Sequence, residues 1–410
     1  MALLGQAVSP DRLVVAIDPG KVESRVWLST GERGLVCEPV SLPTSRAGLA
    51  ELEQLVAGGG AGAPLIALEQ TGALHRAWQT ALEERWPGSL RVFAPSETQA
   101  ARAQLGSRRM KTDDRDCAAL TWLVRQGAGR PALPSPVEAL QGAVRHRRQL
   151  VDARRPLRQR LHDQLNALCP GLSAPAGHGR ELPLDSPTGL AVLACAAAFA
   201  GRPASVRSLK ARAPGRLADS AAAFWAARWS SLLPPPADAE ARAGRLGRDL
   251  ERFRALQEDV SELDAQIAQL LAGTGGRVLT TLPGVATIRA ATFAAFTLPV
   301  ERFPSAEHLY AATGLAPATY QSSTVTKRGA IRRTGLPEHR DALMGIAWGL
   351  SQHSRAFAER DRELRARGKQ PIEARVALAR HACRLAFRLL SSQQPFDENR
   401  YLRSRRTRGR

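Results

Sequence analysis

Two short apolar runs in the first third of the chain each end in a carboxylate. LVVAI (13–17) is followed by Asp18, and PLIALE (64–69) ends in Glu69. A third acidic group, KTDDRD (111–116), places Asp113 and Asp116 three residues apart, which on a helix puts both on one face. Asp114 points about 100° away from Asp113 on the same helix and is the weakest member. Asp18, Glu69, Asp113 and Asp116, if brought together, would repel one another strongly without a divalent cation between them. Oxygen-only ligands suit a hard ion, Mg²⁺ or Mn²⁺. Two such ions clamp the attacking and leaving oxygens of a phosphodiester. Each acid also has an ordinary structural use. Asp18 in Asp-Pro-Gly can open a turn, Glu69 can cap the next helix, and TDDRD can supply favourable charge to a helix N-terminus.

A second chemistry-bearing stretch lies near the end. TYQSSTVTKRGAIRRTG (319–335) is polar and basic and holds Tyr320, Ser322, Ser323 and Thr324 beside Lys327 and Arg328. A hydroxyl there can attack a phosphodiester when a base or metal activates it. No histidine lies close by in sequence, so metal activation is the more natural route. The alternative is a loop that contacts phosphate through Ser322, Lys327 and Arg328. Upstream, LTTLPGVATIRAATFAAF (279–296) has the form of a helix-hairpin-helix, which presents backbone N–H groups to phosphate without reading sequence; an ordinary helix connection fits it equally.

The elements that must position these residues follow from periodicity and turn signals. Strands are expected at 13–17, 25–29 and 34–40, then a helix at 46–57, a strand at 64–69, a helix at 73–86, a strand at 90–94 and helices at 96–106 and 112–126. This α/β order is that of a ribonuclease-H-like domain, assigned to residues 1–130. Residues 131–136 (PALPSP) read as a linker. A central long-helix, coiled-coil region is expected at 137–275, with an Ala/Pro-rich insert at 170–239 that the sequence leaves unexplained. Its first helix carries Arg145, Arg147, Arg148, Arg154, Arg155 and Arg158, together with Arg160. Its last carries a heptad stripe, Leu246, Leu250, Phe253, Leu256, Val260, Leu263, Ile267 and Leu270. That stripe needs an apolar partner, which is either the 137–169 helix or another subunit. A mostly α-helical domain follows at 276–390, and a basic tail at 391–410 ends in RSRRTRGR.

Composition narrows the class of partner. The 410 residues carry 58 Lys and Arg against 38 Asp and Glu, a net charge of +20, which draws polyanions. No apolar run approaches the roughly 20 residues needed to cross a bilayer, so no membrane partner is expected. Five cysteines are scattered without a CxxC pair or Cys/His cluster, and the opening MALLGQAVSPDR lacks the features of a signal peptide. A cytoplasmic, nucleoid-associated protein is the expectation.

The motifs together resemble the insertion sequence 110 family of transposases. The residues behind the resemblance are VVAIDPGK (14–21), ALEQTG (67–72), KTDDRDCAAL (111–120), LPGVATIRAA (282–291), RFPSAEHLYAATGLAP (302–317) and YQSSTVTKRGAIRRTG (320–335). The resemblance implies a RuvC-like domain with an Asp-Glu-Asp-Asp set at Asp18, Glu69, Asp113 and Asp116, and a C-terminal transposase domain whose essential serine is Ser322. Family members usually have Ser-Gly in that loop, whereas here Ser322 is followed by Ser323 and Thr324, so Ser322 is favoured over Ser323. It further implies Mg²⁺ or Mn²⁺ as cofactor, donor and target DNA as substrates, a structured element-encoded guide RNA, and a homo-oligomer, dimer or tetramer, with the active site composed across subunits. The Arg-rich 137–169 helix then becomes a surface for the nucleic-acid backbone and the heptad stripe a multimer contact; a solvated helix face is the plainer use of those arginines. The readings that compete are a structure-selective nuclease using the same carboxylates with water, and a non-catalytic nucleic-acid-binding scaffold.

Overall fold

The computed structural model describes residues 8–32, 34–60, 62–106, 112–174, 181–322, 325–331 and 334–408, with backbone alone at 319–322, 325–328, 330 and 404–408. The chain divides into two compact units, residues 1–133 and 134–410.

The first unit is a mixed sheet with helices on both faces. Its strands are β1 (Val14–Asp18), β2 (Glu23–Thr30), β3 (Gly34–Leu35), β4 (Val40–Pro43), β5 (Leu65–Glu69), β6 (Leu90–Phe93) and β7 (Arg130–Pro131). They lie in the order β3-β2-β1-β5-β6-β7, and β4 also pairs with β2. Strands β1, β5 and β6 run parallel, while β2 and β7 run antiparallel to their neighbours. Helices α1 (Arg46–Gly59), α2 (His75–Arg85), α3 (Pro95–Gln104) and α4 (Asp113–Arg125) complete the unit. The expected third strand is split into β3 and β4, a break that falls at Pro39, which has no N–H to give to a ladder.

Alternation along the central strands sorts their side chains into two cores. Val15, Ile17, Val26, Leu28, Ile66, Leu68, Leu90 and Val92 pack with Leu52 and Val56 of α1 and Trp78 and Leu82 of α2. Val14, Ala16, Leu65, Ala67 and Phe93 face the other way, against Cys117, Leu120 and Val124 of α4. Both faces are therefore dry, which is why β1 and β5 read as unbroken apolar runs rather than alternating ones.

In the second unit, α5 (Ser135–Leu168) and α9 (Ala239–Ala272) are long helices that pack side by side. They run antiparallel: Arg147 pairs with Asp264, and Gln164 Nε2 donates to Asp249 Oδ2 at 2.9 Å. The heptad stripe is buried within the chain. Leu246, Leu250 and Phe253 meet Leu157, Leu161 and Leu165 of α5, while Leu263 and Ile267 share a core with Val137, Leu140 and Val144. Its partner within the chain is thus α5. Residues 170–239 supply α6 (Pro187–Ala198), α7 (Val206–Arg212) and α8 (Asp219–Ser230), which close the upper core over Phe253. Trp229 is its largest fully buried side chain, with Nε1 donating to the Gly201 carbonyl at 2.9 Å.

A 3-10 helix (Gly275–Thr281) and α10 (Thr287–Thr297) follow, then α11 (Ala306–Ala312), strands β8 (Pro317–Ser322) and β9 (Val325–Ile331), α12 (Pro337–His353), α13 (Arg355–Ala366), α14 (Pro371–Ser392) and α15 (Glu398–Arg408). In place of two α-helices, the expected helix-hairpin-helix is a 3-10 turn, a bend at Gly284 (φ +70) and α10. The bend is seated on α12: a Cβ at Gly284 would stand 2.3 Å from His353 Cδ2 and 2.6 Å from the Gly349 carbonyl. The polar stretch expected as a loop at 319–335 is largely a β-hairpin, β8–β9. No helix among the described residues is long and apolar enough to cross a membrane.

Candidate active site

The parallel register of β1 and β5 aligns Val14 with Leu65, Ala16 with Ala67 and Ile17 with Leu68, so the next step sets Asp18 beside Glu69. Adjacent strands lie about 4.8 Å apart. Asp18 has the parity of Val14 and Ala16, and Glu69 that of Leu65 and Ala67. Both carboxylates therefore belong to the face that α4 covers, at the C-terminal ends of the central parallel strands. Glu69 is 7% exposed and accepts a hydrogen bond from Thr71 Oγ1 at 2.7 Å.

Helix α4 delivers the remaining acids. Thr112 caps it, accepting from the Arg115 N–H at 3.3 Å. Asp116 is buried and Asp113, one turn earlier, is exposed. Cys117 fastens the helix to the strands, with Sγ 3.4 Å from the Arg25 carbonyl and 3.8 Å from that of Ala16. Burial first, and then the negative charge of nearby Asp18, push the Cys117 thiol well above its ordinary range. It is a packing residue, neutral at physiological pH.

Two arginines, neither apparent from motif spacing, organise this acidic corner. Arg25, opposite Asp18 on β2, donates through Nε to Asp114 Oδ1 at 2.6 Å and through Nη2 to Oδ2 at 3.3 Å. Trp27 Nε1 adds a third bond to Oδ1 at 3.0 Å. These bonds, Arg25 foremost, lower the Asp114 pKa, and they commit Asp114 to the scaffold. Arg102 of α3 stands 2.7 Å from Asp116 Oδ1, the two side chains being 14% and 3% exposed. Nothing in the sequence signals this pair, because α3 and α4 are separate elements and only their tertiary packing against each other brings it together.

Among the described residues, no group of three or more His, Cys, Asp and Glu side chains is already drawn tight enough to hold a metal ion. The donor chemistry is nonetheless that of a hard divalent cation: all-oxygen, with Asp18 and Glu69 adjacent in register and Asp116 on the helix that covers their face. A cation using Asp116 has to take it from Arg102.

The hydroxyl stretch lies in the second unit. Ser322 ends β8, with Val325 of β9 opposite it; the register also pairs Tyr320 with Lys327 and Thr319 with Arg328. Ser323 lies outside the described residues, as does Thr324. Of the α5 arginines, Arg147 bridges to Asp264 of α9, and Arg145 stacks over the Phe296 ring with Cζ 5.4 Å from its centre. Arg148 pairs with Asp152 at 2.8 Å and Asp341 at 3.5 Å, Arg155 with Asp152 at 3.3 Å, and Arg158 with Asp185 at 3.8 Å. Arg154 is half-buried. Arg145 and Arg147 thus bind the unit together, while the more exposed pairs are of the weak kind that phosphate readily displaces.

A mixed sheet of this order, with carboxylates at the ends of its central parallel strands and a third on the covering helix, defines a RuvC-like domain, a class of domain that acts on nucleic-acid phosphodiesters. Residues 15–170 match the family model of IS110-type DEDD transposases, described as "Transposase". Residues 276–362 match a second model, "Transposase IS116/IS110/IS902 family". The two matches fall in the family's order and together cover more than half of the chain; the chain belongs to the IS110 family of transposases. It is a DNA transposase/recombinase enzyme, its substrates are DNA, and a DEDD domain implies use of a divalent metal. No curated protein matches the chain.

Proposed function

We propose that this transposase cuts and rejoins DNA with Asp18, Glu69, Asp113 and Asp116 as ligands of Mg²⁺ or Mn²⁺ and Ser322 as nucleophile. The observation that carries the reading is the β1–β5 register, which sets Asp18 and Glu69 side by side on the face covered by the helix of Asp113 and Asp116. A bound divalent ion supplies charge neutralisation at the phosphoryl oxygens. Ser322 Oγ forms a bond to phosphorus as the bond to the leaving strand breaks, and the serine proton ends on the departing hydroxyl. A strand-end hydroxyl then attacks the same phosphorus, joins the new strand and returns the proton to Ser322.

The positive charge of the chain supports extensive backbone contact, to which Lys327, Arg328 and the α5 arginines Arg148, Arg154, Arg155 and Arg158 contribute; Arg145 and Arg147 serve mainly to build that surface. The reading includes a structured guide RNA and a homo-oligomer, both carried by the family resemblance. Within the chain, α5 covers the heptad stripe.

The test is trapping of a covalent protein–DNA adduct with Mn²⁺. Ser322→Ala should abolish it and Tyr320→Phe should retain it, while Asp18→Asn and Glu69→Gln should each lower strand transfer by at least 100-fold. Hydrolysed ends without an adduct would establish a nuclease using water instead. Processing unchanged by Asp18→Asn would remove the carboxylates from the reaction. Sequencing RNA that co-purifies from cells carrying the flanking DNA tests guidance: one abundant structured species is expected, and a random salt-sensitive mixture would refute it.

A further inference from the structure

Beside the base of the β8–β9 hairpin lies an open groove of about 750 Å³ between the hairpin and the first turns of α14. Its apolar floor includes Leu315, Ile331 and Val376, and Ile372 lies along the edge. Ile331 and Ile372, 37% and 59% exposed, both line the groove. The rim is cationic, with Lys369 and Arg380 both exposed. The one acid in the lining, Glu373, already accepts from the Gln370 N–H at 3.2 Å as the cap of α14.

We propose that this groove binds unpaired nucleotides of the DNA strand next to the cleavage point, with bases on the aliphatic floor and phosphates on Lys369 and Arg380. Three observations select that occupant. A basic rim over an apolar floor matches an unstacked strand, which offers base faces and phosphates together. A duplex hides its base faces, and the apolar face of a partner helix would leave both cations without a counter-charge. Position also favours DNA. Pro317, in the groove lining, is five residues from Ser322 along β8. At about 3.3 Å per residue this is roughly 17 Å, a distance that a few nucleotides of an unstacked strand can span. DNA is the substrate of this enzyme, and a strand seated here would be held open a few nucleotides from the scissile phosphate. The inference rests on Ser322 marking the place of cleavage.

The experiment measures binding of the full-length protein, by fluorescence anisotropy at fixed salt, to three probes: a duplex with a six-nucleotide unpaired tract, the same duplex fully paired, and single-stranded RNA of the tract sequence. The wild type should prefer the unpaired tract over the paired duplex by at least fivefold. Lys369→Ala/Arg380→Ala should erase that preference and lower the salt slope by about two, while changing paired-duplex affinity less than twofold. Ile372→Ser, at an exposed position that leaves the fold intact, should lower the preference about threefold with the salt slope unchanged. Three outcomes would overturn the proposal: no preference in the wild type, equal loss for paired and unpaired DNA, or loss confined to the RNA probe. A change of oligomeric state in Ile372→Ser, read by sedimentation, would overturn it in favour of a second copy as occupant. Adduct formation by Ser322→Ala is read separately, so persistence of the adduct would displace the serine while leaving the groove result to be judged on its own.

Discussion

Replacing Arg102 with leucine should loosen the carboxylate corner more than any other single change near it. The Arg102 and Asp116 side chains are 14% and 3% exposed and stand 2.7 Å apart, so solvent screens the pair little. Removing one member of a buried pair costs about 3–5 kcal/mol, because a desolvated charge loses its counter-charge. Since 1.36 kcal/mol is a factor of ten, amide hydrogen exchange in β1 and α4 should accelerate by roughly 10²- to 5 × 10³-fold. Exchange is the suitable assay because it reads this unit separately within a chain of two compact units. Two further signatures separate electrostatics from lost packing. Millimolar Mn²⁺ should restore more protection to Arg102→Leu than it adds to the wild type, because the cation takes the position of the guanidinium. Arg102→Leu/Asp116→Leu should be less damaged than Arg102→Leu alone. Exchange within threefold of the wild type, or a double variant worse than the single one, would refute the argument.

Other consequences are equally direct. His339 is buried between Phe293 and Phe296 with Nε2 3.0 Å from Thr297 Oγ1, and burial, aided by Arg302, pushes its pKa down from 6.5 to about 3. The neutral ring is the folded form, so its contribution is complete above about pH 6.5 and is lost as pH falls towards 3; the loss is on the order of 5 kcal/mol, and His339→Gln should flatten that part of the pH–stability curve. Gly284→Ala should lower stability of the second unit by at least about 2 kcal/mol, since φ is +70 and the new Cβ would meet His353 and the Gly349 carbonyl; a thermal shift under 2 °C would contradict the seating of the turn on α12. Asp114→Asn should cost less than about 1 kcal/mol and leave Mn²⁺ affinity within twofold, because Asp114 serves Arg25 and Trp27. A loss of Mn²⁺ affinity as large as that of Asp18→Asn would make Asp114 a ligand.

What could be read from the chain alone follows from local periodicity. The apolar runs at 13–17 and 64–69 are strands because they are short, rich in branched residues and bounded by turn signals, and their last residues stand at strand ends whatever the packing. The three-residue spacing of Asp113 and Asp116 belongs to any helix, and so does the rotation that sets Asp114 aside. The stripe from Leu246 to Leu270 shows that α9 must be covered. Local pattern carries no information about what covers it: α5 does so because the chain returns antiparallel and matches Arg147 to Asp264 and Gln164 to Asp249. The 170–239 region stayed opaque because its helices are short, and the apolar one, PTGLAVLACAAA, has no polar face to betray its orientation; such helices owe their stability to tertiary burial. The 317–331 hairpin lacks an apolar face and so carries no strand period. Arg102 belongs wholly to the tertiary level. Its partner lies on another helix, and only the packing of α3 against α4 decides that this arginine, among 53 in the chain, meets Asp116.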